Sequence, residues 1–179
     1  MIPAIAIIGH HDSGKTRMIE ELLRRLAERG LRVGTVKHAP HLTTLDDRDA
    51  DSARHREAGA HRTLLRGATS SALFFGRGAL DDLRSDLERF FPDCDLVLIE
   101  GDKHGPWTKI EIFRRGRDVA RDPLAGEIDV AAVVTDDRVA LPDGALRFGT
   151  RDGEALADFV EELARGKRPN CPDAASPLR

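Results

Sequence analysis

The apolar positions of the first 38 residues change their spacing twice, and each change marks a new element. Ile2–Ile8 is a short, nearly continuous apolar run, which is typical of a buried parallel strand. Between Lys15 and Arg29 the apolar residues recur at the spacing of an amphipathic helix, and Gly30 follows as a helix-ending residue. Leu31–His38 then has the composition of a second strand. This order predicts a βαβ unit, whose crossover implies a parallel sheet.

The same two patterns alternate along the rest of the chain. We predict helices at residues 51–59, 79–91 and 152–165, and strands at residues 61–66, 71–76, 94–99 and 128–134. Residues 39–50 are polar without a period and predict a loop. Alternation on both sides of Gly116 predicts a β-hairpin near residues 109–120, where it would serve dimerisation.

Length, composition and charge narrow the class of protein. A chain of 179 residues suits one core, so we expect one domain over residues 1–166 and a disordered tail over residues 167–179. Aromatic residues make up only 4% and the net charge is -3, which argues against a nucleic-acid partner. The chain has two cysteines, no recognisable targeting segment and no apolar run near the roughly 20 residues of a membrane span. These features predict a cytoplasmic protein without a membrane partner.

The segment "GHHDSGKT", Gly9–Thr16, joins the first strand to the first helix and matches the phosphate loop of nucleotide-binding proteins. Its glycines let the backbone curl so that N–H groups and the helix N-terminus face phosphate oxygens, Lys15 reaches the β and γ oxygens, and Thr16 offers a hydroxyl to Mg²⁺. The loop predicts a three-layer α/β phosphate-loop fold with a mostly parallel central sheet. Its predicted nucleotide contacts are Gly9, His10, His11, Asp12, Ser13, Gly14, Lys15 and Thr16.

A phosphate loop needs a second acid to hold magnesium. Glu100 directly follows the apolar run Leu96–Ile99, and Gly101 would allow close approach to a γ-phosphate. The carboxylates of residues 46, 47, 49 and 51 lie after the second strand, where nucleotide hydrolases place a segment that touches metal or water. Such a run of acids is as often simply a solvent-exposed surface, so the role of each individual carboxylate stays open.

Other polar residues suggest weaker hypotheses. His38 and His41 have the spacing of metal ligands but lack a nearby cysteine or a second pair, so solvated or nucleotide-contacting histidines are the default. The basic run from Arg54 to Arg66 suits either an anionic substrate or a solvated helix face. Asp136 and its neighbour Asp137 follow the late strand, where an acid would accept hydrogen bonds from a guanine base, although a turn also recruits aspartate there.

Four segments in matching order resemble the molybdopterin-guanine dinucleotide biosynthesis protein B (MobB) family: "GHHDSGKT", "TVKH", "DSARHREAGA" and "DLVLIEGDKHGPWTKIEIFR". The phosphate loop alone is shared with very many proteins, whereas three segments in this order are much more specific: the Lys-His strand end, Asp-Ser-x-Arg-x-x-x-Ala-Gly-Ala and Glu-Gly-x-Lys-His. The similarity covers roughly residues 3–135.

The resemblance implies a homodimeric protein that binds GTP and Mg²⁺, hydrolyses GTP weakly and assists a molybdenum cofactor guanylyltransferase, with molybdopterin as a further ligand. It implies catalytic roles for Lys15, Asp46 and Glu100, and metal contacts from Thr16, Glu100 and Asp46. Substrate or partner roles are implied for His38, Asp51, Arg54, Lys103 and His104.

The sequence also departs from the family pattern. Pro40 and Leu42 stand where the family commonly has His and Asp, and Asp102 replaces a common aromatic residue. Three other functions therefore stay open: a small-molecule kinase, an adaptor that binds nucleotide or pterin without hydrolysis, and a metal-delivery GTPase that uses the histidines.

Overall fold

A computed structural model describes residues 1–42, 45, 50–76, 82–115 and 122–166. The chain divides into two compact units, Met1–His38 with Phe91–Arg179, and Ala39–Phe90. The helices of the described residues are α1 (Lys15–Glu28), α2 (Asp51–Glu57), α3 (Leu83–Phe90) and α4 (Gly153–Ala164). The strands are β1 (Ala4–Ile8), β2 (Val33–Lys37), β3 (Arg62–Arg66), β4 (Ser71–Phe75), β5 (Leu96–Glu100), β6 (Thr108–Ile112), β7 (Ala132–Val134) and β8 (Leu146–Phe148).

The first unit is built on one parallel sheet of six strands in the order β2-β5-β1-β6-β7-β8. The predicted βαβ unit is confirmed, although β5 inserts between β1 and β2. Because all six strands run the same way, their carboxyl ends meet at one edge of the sheet. The phosphate loop and Asp136 follow two of these strand ends and Glu100 is the last residue of a third strand, as expected for an α/β fold that binds a ligand there.

An aliphatic core joins the sheet to α1 and α4. Leu22 and Leu26 of α1 and Leu156 of α4 pack against the central strands and are at most 1% exposed. The opposite face is closed as well, since Ala6 and Ile99 have no exposed surface. Burial on both faces explains why the strands read as continuous apolar runs instead of alternating ones.

Ion pairs link the exposed sides of α1 and α4. Arg29 of α1 lies 2.8 Å from Asp158 and 3.0 Å from Glu161 and also pairs with Glu154. Arg25 reaches the same Glu154 at 2.5 Å. These contacts supplement the apolar packing between the two helices.

The second unit contains α2, α3 and an antiparallel hairpin formed by β3 and β4. Phe75 of the hairpin stacks on Phe90 of α3 with 5.3 Å between ring centroids. The guanidinium of Arg56 in α2 lies 4.4 Å from the ring centroid of Phe74, in cation–π geometry.

One prediction about the fold is wrong, and one strand was missed. The hairpin extension exists, but β3 and β4 form it, and its predicted position near residues 109–120 is wrong. Both edges of β6 are already paired, with β1 on one side and β7 on the other, so no edge is free for a hairpin partner in the sheet. The strand β8 was not predicted, because three residues of mixed polarity carry no period.

Several predictions lie outside the described residues or stay untested. Asp46, Asp47 and Asp49, residues 116–121 and the tail 167–179 are outside the described part of the chain. A single domain over residues 1–166 stays a prediction. In the described ranges, none of the helices combines the length and apolar character needed to cross a bilayer.

Candidate nucleotide site

The loop between β1 and α1 has a backbone that only glycine can adopt at its first position. Gly9 has φ +145°, and a Cβ built on it would lie 2.3 Å from the Ile112 carbonyl oxygen and 2.7 Å from Ser13 Oγ. Gly14 also has a positive φ, at +99°, and so does Asp12, at 58°. The loop therefore curls tightly against the end of β6, as the sequence motif predicts.

The start of α1 presents hydrogen-bond donors that suit an anion. Gly14 is the N-cap and provides no side-chain cap, so the first-turn N–H groups lack intrahelical partners. Ser13 is 4% exposed, and its Oγ is a buried atom without a hydrogen-bond partner in the described structure. A phosphate oxygen would satisfy such orphaned donors while gaining from the helix dipole. The residues of the loop thus fit a phosphate group.

Lys15 folds back over this loop. Its Nζ donates hydrogen bonds to the carbonyl oxygens of Gly9 at 3.1 Å and His10 at 2.6 Å. Burial lowers the pKa of Lys15 below its usual range, while the negative charges of Glu100 and Asp12 oppose that shift. The ammonium group is therefore held at the loop, beside the donors that suit a phosphate.

Glu100 is brought next to the loop by the strand order. It ends β5 and aligns with Ile7 of β1 on one side and Lys37 of β2 on the other. Thr16 Oγ1 donates a hydrogen bond to Glu100 Oε1 at 3.1 Å, and Lys37 Nζ lies 3.7 Å from the same oxygen. A threonine hydroxyl that donates its hydrogen to a carboxylate keeps a lone pair for a cation, so this pair fits Mg²⁺.

A metal at this position would need oxygen ligands from elsewhere. Among the described residues, the structure contains no group of three or more His, Cys, Asp or Glu side chains suited to hold a metal ion. Mg²⁺ commonly binds through one or two protein oxygens with phosphates and water completing its octahedron. The Thr16–Glu100 pair matches that mode, and the histidine metal site stays a prediction.

The turn after Glu100 is tightly constrained. Gly101 has φ +93°, its N–H donates to the Ile7 carbonyl at 3.0 Å, and a Cβ there would lie 3.2 Å from the His38 carbonyl oxygen. Asp102 accepts a 2.6 Å hydrogen bond from the Trp107 indole, which gives a structural role to this departure from the family pattern.

Lys103 and His104 form the exposed tip of that turn at the carboxyl edge of the sheet. The main-chain N–H of His38, at the end of β2, donates to the Glu100 carbonyl at 2.9 Å. All three residues therefore belong to the same edge as the loop, and their substrate or partner roles stay predictions.

Asp136 and Asp137 follow β7 at the same edge but are engaged in local turns. Asp136 accepts hydrogen bonds from the Thr150 hydroxyl and from the Thr150 N–H, the latter at 2.9 Å, and these bonds lower the pKa of its carboxyl group. Asp137 accepts a 2.7 Å hydrogen bond from the Arg115 N–H. A base-reading role for Asp136 stays a prediction, since a carboxylate retains further acceptor sites.

Some predicted residues have no described place beside the loop. Asp51 and Arg54 belong to the second unit, where they face each other at 3.5 Å on exposed side chains. His11 and Asp12, by contrast, lie within the loop itself and form a 2.8 Å pair that is almost fully exposed. Asp46 lies outside the described residues.

The structure also reveals positions that the sequence analysis missed. Lys37 is one of them, although its position beside His38 at the end of a strand could have indicated a place at the site. Glu111 is another: it is fully buried in β6 and accepts hydrogen bonds from Leu124 N–H at 2.7 Å and Ala125 N–H at 2.8 Å. Its alternation with isoleucines reads as a solvent-facing position, so no local pattern predicts this burial.

Glu111 fixes a segment that reaches the loop. The two N–H groups open the 3₁₀ turn Leu124–Gly126, and just before it the Asp122 carbonyl lies 3.0 Å from His10 Nε2. Glu111 thus anchors the segment that touches the phosphate loop.

Comparison with known proteins gives a consistent result. The family model described as molybdopterin guanine dinucleotide synthesis protein B matches residues 4–136. The molybdopterin-guanine dinucleotide biosynthesis adapter protein of Escherichia coli is 34% identical, with 90% of this chain and 93% of that protein covered. The protein of the same description from Haemophilus influenzae is 35% identical, with 89% and 88% covered.

Solved structures agree with the sequence comparison. The crystal structure of Bacillus subtilis MobB superposes with a TM-score of 0.67 at 27% identity and covers 89% of this chain and 96% of that one. A crystal structure of molybdopterin-guanine biosynthesis protein B gives a TM-score of 0.66 at 29% identity, with 90% and 99% covered. The chain therefore belongs to the molybdopterin guanine dinucleotide synthesis protein B (MobB) family.

Proposed function

We propose that this protein is a GTP-binding adapter with slow GTPase activity that assists a molybdenum cofactor guanylyltransferase in attaching GMP to molybdopterin. The observation that carries the nucleotide part is the curled Gly9–Thr16 loop with Glu100 hydrogen-bonded to Thr16. The adapter part is supported by the relatives from two organisms, which are both described as molybdopterin-guanine dinucleotide biosynthesis adapter proteins.

Different groups of the loop would bind different parts of a triphosphate. Backbone N–H groups from Gly9 to Thr16 donate to phosphate oxygens, and the Lys15 ammonium leaves its two carbonyl acceptors to bind the β and γ oxygens. Thr16 and Glu100 would hold Mg²⁺, which would neutralise charge on the phosphates. Lys15 and Glu100 thus act by placing charge, and no covalent intermediate with the protein is required.

Slow hydrolysis follows from the charges beside the loop. The two cations that the described structure pairs with this site through Glu100 are lysines, Lys15 and Lys37, whereas phosphate-loop hydrolases use an arginine to stabilise the transferring phosphoryl group. We expect the partner transferase, or a second copy of the chain in a homodimer, to supply such a residue.

Asp136 is our candidate guanine reader because it follows β7 at the carboxyl edge, and its carboxylate has acceptor sites beyond those used by Thr150. Replacing Asp136 by Asn should then reduce the preference for GTP over ATP without abolishing triphosphate binding.

The test combines turnover with the partner reaction. Phosphate release from GTP and ATP is measured with and without the transferase and molybdopterin, using the wild-type protein, Lys15→Ala and Glu100→Gln. We expect slow GTP turnover that the partner accelerates and that both variants lose. Binding without any phosphate release would replace this function by the non-hydrolysing adaptor, and transfer of phosphate from ATP to a metabolite would replace it by a kinase.

A further inference from the structure

Lys37 is a second lysine, besides Lys15, that the described structure places close to the phosphate-loop site. It is the last residue of β2, and its register partner in β5 is Glu100, so the two side chains stand next to each other on the sheet. Lys37 Nζ lies 3.7 Å from Glu100 Oε1, the same oxygen that accepts the hydrogen bond from Thr16. One carboxylate oxygen is therefore shared by a hydroxyl and an ammonium group.

The pairing is built into the backbone as well as the side chains. His38 N–H continues the β2–β5 ladder by donating to the Glu100 carbonyl at 2.9 Å. This ladder fixes the strand ends beside each other, while the Lys37 side chain stays 65% exposed and free to turn. Glu100 is held far more tightly, with 18% of its side chain exposed.

Electrostatic repulsion determines how Lys37 responds when a metal ion binds. A dication on Glu100 and Thr16 would stand within a few ångströms of the Lys37 ammonium, and two cations at that distance repel each other unless anionic groups lie between them. The exposed lysine can move away, whereas the carboxylate, which is mostly enclosed and accepts the Thr16 hydrogen bond, has less room to move. Glu100 can therefore pair fully with only one of the two cations.

We propose that Lys37 is the resident counter-ion of Glu100 and competes with Mg²⁺ for it, so that Lys37 sets the Mg²⁺ concentration at which the protein binds nucleotide tightly. This inference rests on the proposed nucleotide-binding function and assigns a positioning role to a residue outside the phosphate loop. Without metal, Lys37 neutralises the acid beside the loop. With metal, Lys37 is released from Glu100 and faces the triphosphate.

The experiment measures binding, not turnover. The affinity for a non-hydrolysable GTP analogue is titrated over a series of Mg²⁺ concentrations for the wild-type protein and for Lys37→Met, which keeps the side-chain length and removes the charge. We expect the Mg²⁺ midpoint of Lys37→Met to fall roughly twofold to fivefold, the size expected for loss of a partly exposed ion pair. Arg24→Met, which removes a positive charge from the exposed face of α1, should leave the midpoint unchanged.

A second arm separates competition from direct phosphate binding. In a Glu100→Gln background, Lys37→Met should no longer lower the Mg²⁺ midpoint, because the shared carboxylate is gone. If Lys37 instead only binds phosphate, Lys37→Met weakens nucleotide binding at every Mg²⁺ concentration without lowering the midpoint, and the inference is overturned. A wild-type protein that binds no nucleotide at saturating Mg²⁺ overturns the proposed function itself, and the inference with it.

Discussion

Replacing Gly9 by Ala tests why the phosphate loop requires glycine at its first position. A non-glycine residue at φ +145° carries a strain of about 1–3 kcal/mol. The added Cβ would also lie 2.3 Å from the Ile112 carbonyl oxygen, which belongs to the backbone of β6 and cannot turn aside. Shifting that strand end adds about 1–3 kcal/mol. Together these terms predict a loss of about 2–6 kcal/mol in the free energy of unfolding.

Gly14 offers a matched control in the same loop. Its φ is +99°, but a Cβ there would meet nothing within 4 Å, so Gly14→Ala carries only the backbone term of about 1–2 kcal/mol. Urea unfolding followed by far-UV circular dichroism, with linear extrapolation to zero denaturant, measures both losses. We expect Gly9→Ala to be the less stable variant by about 1–3 kcal/mol. Equal stability of the two variants would refute the argument from close approach.

Three further predictions concern residues around the site and the helix pair. Glu111→Leu should lower the free energy of unfolding in urea by about 2–5 kcal/mol, because the N–H groups of Leu124 and Ala125 lose their acceptor. Glu111→Gln keeps an acceptor oxygen and should lower it clearly less, and equal losses for the two variants would contradict this reason. Hydrogen bonds from Thr150 hold the pKa of the Asp136 carboxyl group below its usual range. The ionised carboxylate therefore stabilises the folded state at a pH above the unfolded pKa of about 3.9, and this stabilisation is lost as the pH falls through the folded pKa. The difference in Tm between wild type and Asp136→Asn should therefore shrink from pH about 6 to about 3, and a constant difference would contradict it. Arg29→Met should lower stability by about 1 kcal/mol, and the loss should diminish in about 1 M salt if ion pairs cause it.

The parts of the fold with local periodicity were predictable. The bounds of β1, α1 and β2 agree with the prediction to within two residues, because continuous apolar strands and a helical stripe are visible in short windows. The helix predicted at residues 152–165 corresponds to α4, and Asp152 is its N-cap residue, but the Asp152 side chain accepts a hydrogen bond from Gly149 N–H at 2.7 Å and makes no cap hydrogen bond to the helix. Such a detail depends on the preceding turn and not on the helix sequence.

Features that depend on distant pairing were missed or misplaced. The segment around Lys109 alternates as a hairpin arm would, yet β1 and β7 occupy both of its edges. The burial of Glu111 likewise depends on the turn at Leu124–Gly126, thirteen or more positions along the chain. The phosphate loop was predictable because its glycines, Lys15 and Thr16 lie in one short segment. The pairing of Lys37 with Glu100, in contrast, arises only when β5 inserts beside β2.

We propose that the Gly9–Thr16 loop binds a guanine nucleotide. Calorimetric titration of the Mg²⁺-loaded protein with non-hydrolysable GTP and ATP analogues, with Lys15→Ala as the control, tests it most directly. We predict that GTP binds at least tenfold more tightly than ATP, a difference of about 1.4 kcal/mol, and that Lys15→Ala folds normally but loses triphosphate binding. Unchanged affinity in Lys15→Ala would contradict the phosphate-loop assignment, and equal or tighter binding of ATP would contradict the guanine preference.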